Sequence, residues 1–267
     1  MSALTLKFGA KSKDRFDLSP LTPERLSGLS EAEIEALSIG TTREEITVGD
    51  VFKLKGDDPS KLRFVGTTER CDRIGQGLKD GEIFVDGDAG AYLGAKMRGG
   101  TIRISGSAGP FAGGSMAGGI LEIEGNAGER AGGMVVGERF GMRGGRLSIS
   151  GDAGAMLAER MRRGLIAVEG SAAEYACART IAGTVLIKGR VGPYAGYAMR
   201  RGTIILTKEP KQLLPTFVES GILDFEYLRL LARQIRVEEI PFKLRTRARR
   251  LMGDMAVLGK GEMLILA

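Results

Sequence analysis

The sequence predicts an all-β protein: a right-handed parallel β-helix of about seven rungs with a 19-residue repeat. The first observation behind this prediction is a glycine that recurs every nineteen residues, with one spacing of twenty-six, at Gly81, Gly100, Gly119, Gly145, Gly164, Gly183 and Gly202. The second is a pair of apolar residues two and four positions after each of the first six glycines, as at Ile83 and Val85. The third is that no repeat leaves room for a helix of useful length.

Within each repeat, the two apolar residues flank a variable one, which is the alternation of a short strand with one buried face. A second glycine closes the strand, as at Gly87 and Gly106, and an Ala- and Gly-rich return follows. Successive strands would pair in parallel with a spacing of ~4.8 Å. Because parallel connections are right-handed as a rule, the predicted coil is right-handed. We therefore predict that residues 59–207 form the β-helix.

Residues 1–58 are predicted to form a small α/β cap that covers the first rung, because a solenoid must hide its terminal apolar rung from water. Leu4 to Phe8 alternates like an edge strand. Thr22 followed by Pro23 favours the start of a helix. Ser30 and Glu33 have the spacing of a capping box, which predicts a second short helix.

Residues 208–267 are predicted to form a short helical extension. The stretch from Asp224 to Ile235 has the period of an amphipathic helix, with Leu228, Leu231 and Ile235 on one face. A basic run at 245–250 and an apolar end at 263–266 follow it. Two interpretations stay open: a cap for the far end of the solenoid, or a clamp that docks on a partner protein, since an apolar tail beside a basic run is poorly placed on a free monomer.

The composition excludes several classes of site. The chain has no histidine, so imidazole bases, Ser-His triads and imidazole metal ligands are excluded. Cys71 and Cys177 lack the paired spacing of a disulfide framework or a zinc site, and we predict neither a catalytic residue nor a metal site. The net charge of +6 is modest for 267 residues and no nucleic-acid motif accompanies it. With no signal-like or membrane-spanning apolar stretch, we predict a cytoplasmic protein that binds neither nucleic acid nor membrane.

A partly filled column of arginines is the clearest candidate binding feature. Two residues before each new rung, stacking would align Arg98, Arg143, Arg162 and Arg200, with Ala117 and Ile181 in the gaps. Arg163 and Arg201 follow directly in the chain. Guanidinium groups in a column suit carboxylates or phosphates. The structural alternative is that these arginines pair with acids on the neighbouring face.

The single long repeat carries an insertion, residues 135–141, which restores the nineteen-residue period when removed. Insertions in solenoids leave the stack as loops. Val135, Val136 and Phe140 give this loop an apolar character, and apolar loop tips outside a core predict a protein interface. Simple decoration of the repeat is the alternative.

The repeated pattern G-x-I-x-V-x-G-x-x-G-x-x-x-G-x-x-M-x-x-G is similar to the carboxyl-terminal β-helix domain of the glutamate synthase large subunit. It resembles the C component of formylmethanofuran dehydrogenase, one of the subunits of that enzyme, more strongly. That resemblance comes from the preface Ile46 to Phe52, the repeat series with one long member, and the late Gly253-Asp254 and Gly259 to Glu262. It covers nearly the whole chain.

The resemblance implies a non-catalytic structural subunit. The family includes archaeal tungsten/molybdenum formylmethanofuran dehydrogenases and a four-subunit formyltransferase/hydrolase complex of methylotrophic bacteria. The bacterial complex passes a formyl group from a tetrahydromethanopterin carrier to a methanofuran-type carrier and releases formate. The Arg- and Ala-rich composition favours the bacterial complex, with the archaeal dehydrogenase as the alternative.

The resemblance also implies partners: an amidohydrolase-like subunit, a formyltransferase subunit and a dehydrogenase-B-like subunit. No cofactor is expected on this chain alone, although the complex would let it contact the methanofuran-type carrier. The family's carrier has a glutamate-rich tail, and the hypothesis is that the arginine column guides it. A rival class is a free-standing β-helical enzyme that uses carboxylates. Against it, the fifth position after each glycine alternates rather than clustering acids: Asp86, Ser105, Glu124, Ser150, Glu169 and Lys188.

Overall fold

The computed structural model describes residues 2–9, 13–41, 45–237 and 242–266. Most strands join one sheet of thirteen, with the order β13-β14-β15-β12-β11-β10-β9-β8-β7-β6-β4-β1-β3. The strands are β1 (Ala3–Phe8), β2 (Phe16–Asp17), β3 (Phe52–Lys55), β4 (Asp58–Thr67), β5 (Cys71–Asp72), β6 (Glu82–Gly87), β7 (Thr101–Ile104), β8 (Ile120–Ile123), β9 (Arg143–Ile149), β10 (Arg163–Val168), β11 (Thr184–Ile187), β12 (Arg201–Leu206), β13 (Val218–Asp224), β14 (Arg247–Gly253) and β15 (Lys260–Leu266). The helices are α1 (Pro23–Leu26), α2 (Glu31–Glu35), α3 (Val48–Val51) and α4 (Glu226–Val237).

The strands that follow the repeat glycines, β6 to β12, pair in parallel and in sequence order. Their register places equivalent residues of successive repeats opposite each other: Ile83 faces Ile102, and Ile102 faces Leu121. These side chains are almost completely buried, with 0–1% of their surface exposed. The predicted alternation of apolar residues is therefore the wall of the main hydrophobic core, and the all-β class is confirmed.

The Ala- and Gly-rich returns form a second column of parallel bridges one repeat apart, through Ala89, Ala108, Ala127, Ala153, Ala172 and Val191. Each return also contains left-handed residues at alternate positions, as at Tyr92, Gly94 and Lys96 with φ of 65°, 59° and 58°. The side chains of Met97, Met116, Met142, Met161 and Met199 are fully buried between strand and return. These methionines fill the core, as their flexible shape suits.

The outward-facing middle positions of the strands change character along the sheet. They run in register through Phe84, Arg103, Glu122, Ser148, Ala167, Leu186, Ile205 and Leu264. The last four are buried, since Leu228 and Ile235 of α4 and Phe242 pack over them as a second hydrophobic cluster. The second half of the sheet is thus apolar on both faces, and the amphipathic helix predicted from the sequence is its cover.

The N-terminal residues form the predicted mixture of strand and helix. Strand β1 lies between β3 and β4, antiparallel to the first and parallel to the second. Helix α1 begins with Pro23 after the N-cap Thr22, whose side chain makes no capping bond. Helix α2 has the predicted capping box, in which Ser30 and Glu33 bond each other's backbone N–H groups.

The C-terminal extension differs from the prediction of a short helical segment. It contains α4 and three strands, and β15 continues the parallel series by pairing with β12. Met263 and Leu264 are 1% and 0% exposed in this strand. The apolar end is therefore part of the sheet and gives no reason for docking on a partner. Sequence periodicity missed it because the pairing of β15 depends on a strand more than fifty positions earlier in the chain.

Both cysteines are buried thiols, as their positions in the repeat predicted. Burial raises the pKa of the Cys71 thiol to about 11 and that of Cys177 to about 12, from an ordinary value of 9.0. A neutral group with a raised folded-state pKa stabilises the fold below its unfolded pKa and loses that contribution as pH rises through the folded pKa. The thiols therefore favour the folded state at neutral pH.

We expect the free energy of unfolding to fall as pH rises from about 9 toward 11, because the unfolded thiols ionise first. Urea unfolding curves across this range would measure it, with a Cys71→Ala/Cys177→Ala variant as the control in which the cysteine part of the decline disappears. Iodoacetamide should label neither thiol in the native protein. Labelling as fast as in urea would contradict the prediction.

Candidate functional site

The column predicted from the sequence exists in the backbone. The N–H groups of Arg98, Arg143 and Arg162 donate to the carbonyls of Leu78, Met116 and Met142, each one repeat earlier, at 2.6–2.8 Å. The Ala117, Ile181 and Arg200 N–H groups make the equivalent bonds. All six predicted arginines are exposed: Arg98, Arg143, Arg162, Arg163, Arg200 and Arg201.

Four of the six arginines line one hollow. Arg162, Arg163, Arg200 and Arg201 surround a depression of about 360 Å³ together with Ile181, Ala182 and Leu258. Arg143 lies one strand away, opposite Arg163 in the register of β9 and β10. Arg98 is separated from this group by the Ala117 repeat, so the structure does not bring it to the hollow.

None of the six has a carboxylate within 4 Å among the residues that the structure describes. Arg143 has a longer-range attraction to Glu138, where the hydrogen bond from Lys96 is the main reason that the pKa of the Glu138 carboxyl is lowered. The arginines around the hollow are therefore not neutralised by local ion pairs. Such a group favours an anion from outside the chain.

The insertion packs against the repeats. Val135 is 7% exposed, and its N–H donates to Ser115 Oγ at 3.1 Å, while that hydroxyl donates to the Phe140 carbonyl at 2.8 Å. Val136 is 73% exposed. Of the three apolar residues predicted to form an interface, Val135 is thus occupied within the chain, and Val136 is the one fully presented to solvent.

Phe140 connects the insertion to the arginine column. The guanidinium carbons of Arg139 and Arg162 lie 5.2 and 5.0 Å from its ring centroid. The ring also borders a second hollow of about 490 Å³, lined further by Arg160, Arg179, Arg200, Val257 and Leu258. The two hollows share Arg200 and Leu258 and form one continuous basic surface.

Sequence reasoning missed Arg139, Arg160 and Arg179 on this surface. Arg160 and Arg179 occupy the same repeat position, fifteen residues after their glycines, where Lys96 and Ser115 stand in earlier repeats. That recurrence was available in the sequence. The turn that carries Leu258 was not, because it reaches the hollow only through the pairing of β15 with β12.

A stacked column eleven residues after each glycine was also missed: Tyr92, Phe111, Arg130, Met156, Tyr175 and Tyr194. Tyr92 stacks on Phe111 with centroids 4.9 Å apart, and Tyr175 on Tyr194 at 4.8 Å. Arg130 bridges the halves, since its guanidinium lies 5.7 Å from the Phe111 centroid and its Nε donates to Met156 Sδ at 3.2 Å. The column stiffens the side of the molecule that carries the basic surface.

The carboxylates offer little for acid–base catalysis. Asp86 pairs with Arg63 at 2.6 Å and Glu169 with Lys188 at 3.5 Å. Within the described ranges, no cluster of three or more Cys, Asp or Glu residues could hold a metal ion. In the same ranges, no helix is both long and apolar enough to cross a bilayer.

Residues 63–242, more than half of the chain, match the GXGXG motif family. The chain belongs to the GXGXG family. This GXGXG protein is 46% identical over 265 residues to the C component of the formyltransferase/hydrolase complex Fhc of Methylorubrum extorquens, and the match covers 98% of this chain and 99% of the relative. The resemblance stated from the sequence is thereby confirmed.

A solved structure agrees over the same length. A chain in the crystal structure of the formyltransferase/hydrolase complex FhcABCD of Methylorubrum extorquens, in complex with methylofuran, superimposes on this GXGXG protein with a TM-score of 0.91. The two are 44% identical, and the match covers 98% of this chain and 99% of the other. The C component of a tungsten-containing formylmethanofuran dehydrogenase 2 of Methanococcus maripaludis is 30% identical over 95 residues, 35% of each chain.

Proposed function

We propose that the chain is a non-catalytic structural subunit, the C component, of a formyltransferase/hydrolase complex. Such a complex moves a formyl group between tetrahydromethanopterin and a methanofuran-type carrier and releases formate in one-carbon metabolism. The observation that carries the proposal is the end-to-end match to the C component of the bacterial complex in both sequence and structure. The archaeal dehydrogenase alternative matches over only 35% of the chain.

The architecture proposed for this role is a right-handed parallel β-helix of about seven rungs. Two features support it: the continuous parallel pairing of β6 to β12, and the second column of parallel bridges from Ala89 to Val191, each one repeat apart. A rod of this kind gives long, rigid side faces on which other subunits can dock. The proposed boundaries remain a cap at 1–58, the coil at 59–207 and an extension at 208–267.

The proposed partners are an amidohydrolase-like, a formyltransferase and a dehydrogenase-B-like subunit in the cytoplasm. Support comes from the FhcABCD assembly of the related chain. The scaffold role is supported by the ion-paired carboxylates, the buried thiols and the lack of histidine. A free-standing carboxylate enzyme would need unpaired acids close together, which the described residues do not supply.

We expect the chain, purified through a tag from its native host, to bring down formyltransferase and hydrolase activities together with stoichiometric partner subunits. The same chain purified alone should show no formyltransferase, hydrolase or dehydrogenase turnover, because it holds no group suited to general acid–base catalysis. Turnover by the pure chain that a point substitution abolishes would overturn the scaffold role. A chain that migrates alone from its native host would overturn membership of a complex.

The arginine hollow is proposed to guide the acidic tail of the methanofuran-type carrier. Its four arginines lack local carboxylates, and the tail would supply them. A carrier that is contacted in this way needs no cofactor site within the chain itself. The related crystal structure contains methylofuran, which is consistent with a carrier held within the complex.

Replacing Arg163 and Arg201 by Glu should slow the assembled complex most for carriers with long glutamate tails. The defect should shrink at high salt, since exposed charges more than ~8–10 Å apart are screened at ordinary ionic strength. A matched control is Lys7→Glu/Lys53→Glu, which makes the same change in net charge on exposed residues of β1 and β3. Rates measured against carriers of graded tail length decide the matter: an equal defect at every length would contradict the guide.

A further inference from the structure

The turn between β14 and β15 presents apolar side chains from a rigid base. The Asp254 carboxylate accepts from the N–H groups of Ala198 and Ala256, both at 2.9 Å, and the Asp254 N–H donates to the Met199 carbonyl at 3.2 Å. The turn is therefore fixed to the last repeat. Met255, Val257 and Leu258 nevertheless stand 46–48% exposed on it.

Two exposed tyrosines lie beside this turn. Tyr194 and Tyr197 are 40% and 42% exposed, and Tyr197 is next to Ala198, which binds Asp254. Tyr175 holds both rings, by stacking on Tyr194 and by an edge contact with Tyr197 at 5.9 Å. Since ordered rings have little conformational entropy left to lose, they are suited to binding a protein surface.

The 490 Å³ hollow joins the turn to the insertion and supplies charge. Val257, Leu258 and Phe140 line it together with Arg139 and Arg160. Neither of these two arginines has an ion-pair partner in the described part of the chain. Arg179, also in the hollow, lies over the Tyr197 ring at 5.8 Å and so connects the hollow to the tyrosines.

We infer that this surface, the Tyr–Arg face formed by Tyr194, Tyr197, Phe140, the hollow arginines and the turn at 254–259, is where a sister subunit docks. The inference rests on the proposed function and adds the docking face and the chemistry of the docking element. That element carries carboxylates for Arg139 and Arg160 and an apolar side chain for the wall made by Val257 and Leu258. Tyr, Arg, Phe and Met are the residue types enriched at protein interfaces, and Tyr and Arg supply many of their strongest contacts.

Other exposed apolar residues are less suited to docking. Leu29 and Leu230 stand apart from the Tyr–Arg face, the first after α1 and the second on α4. Strand β13 is the edge of the sheet, yet a register shift between Glu219 and Gly221 interrupts its pairing. Bulged edges are a common protection against further strand pairing. Of the surfaces that the structure describes, the Tyr–Arg face alone combines fixed aromatic rings, an apolar turn and unpaired cations.

The direct test is hydroxyl-radical footprinting of the free chain and of the intact complex, read by mass spectrometry. Tyr197 and Met255 should be oxidised in the free chain and protected in the complex, while Leu230, at 60% exposure, should react similarly in both. Equal oxidation of Tyr197 and Met255 in the two states would overturn the inference. A chain that forms no complex would instead overturn the proposed function, which keeps the two failures distinct.

Substitutions then test the chemistry. Leu258→Asp and Tyr197→Ala should each weaken association with the sister subunits by about 30-fold, the effect of losing one strong contact. Arg139→Glu/Arg160→Glu should weaken it by a factor that falls at ~0.5 M salt, because an acidic partner is attracted through screened charges. Leu230→Asp is the matched control and should associate like wild type. Association unchanged in all three face variants would overturn the inference.

Discussion

Replacing Leu186 by Asp should release α4 while leaving the repeats folded, whereas Ile187→Asp should unfold the repeats altogether. The two residues are neighbours in β11 and both are 0% exposed. Leu186 belongs to the outer cluster under α4, and Ile187 to the main core. An unpaired carboxylate in either place costs several kcal/mol. Only at Leu186 can the chain avoid that cost by detaching a peripheral helix.

Limited proteolysis and far-ultraviolet circular dichroism would distinguish the two outcomes. Leu186→Asp should become sensitive to cleavage within 208–246 and keep its β signal, and Ile187→Asp should lose both the signal and solubility. Leu186→Met conserves volume and should behave like wild type. If Leu186→Asp unfolds as completely as Ile187→Asp, α4 is integral to the sheet and the two clusters are not separable.

The substitution Gly125→Ala should destabilise the protein by ~1–3 kcal/mol, because a methyl group there overpacks the stack. An added Cβ would lie 2.6 Å from the Gly106 carbonyl oxygen and 2.7 Å from its carbonyl carbon. The backbone cannot move away cheaply, since Gly125 N–H donates to Gly106 and Gly151 N–H donates to Gly125, each at 3.0 Å. The strand-closing glycines thus set how closely successive repeats approach.

Chemical unfolding of Gly125→Ala beside Gly9→Ala would check this. At Gly9 the nearest atom to an added Cβ is the Val51 carbonyl oxygen at 4.0 Å, an ordinary contact, so that control should change stability by less than about 0.5 kcal/mol. Equal stability of the two variants would show that the stack adjusts to a methyl group without cost.

The repeated strands could be predicted from the sequence because their signal is local and recurs. Alternation around Ile83 and Val85, restated in each repeat, fixes which side is buried. The buried outer positions Ala167 and Leu186 could not be predicted in this way. Their cover is a helix whose contact with the sheet is a tertiary feature, and the sequence shows only that the variable position becomes apolar in later repeats.

The candidate site was predictable to a similar degree. The stacking period aligned Arg162 with Arg200, but the hollow that these residues line also depends on Leu258, which arrives from the far end of the chain. The left-handed backbone at Tyr92, Tyr175 and Tyr194 was not predictable, since non-glycine residues seldom adopt positive φ. Only neighbouring rings, stacked one repeat apart, make that conformation recur.

The order in which the strands pair has a consequence for synthesis on the ribosome. From β6 to β11, each strand gains its next neighbour as soon as one more repeat emerges. Strand β12 ends at Leu206, yet its partner β15 begins only at Lys260, after β13, α4 and β14 have been made. During that interval the nascent chain carries an open, apolar strand edge, the kind of edge that pairs with other chains. A chaperone or a co-translationally assembling partner would be needed most at this stage, and a truncation before Lys260 would leave the edge open permanently.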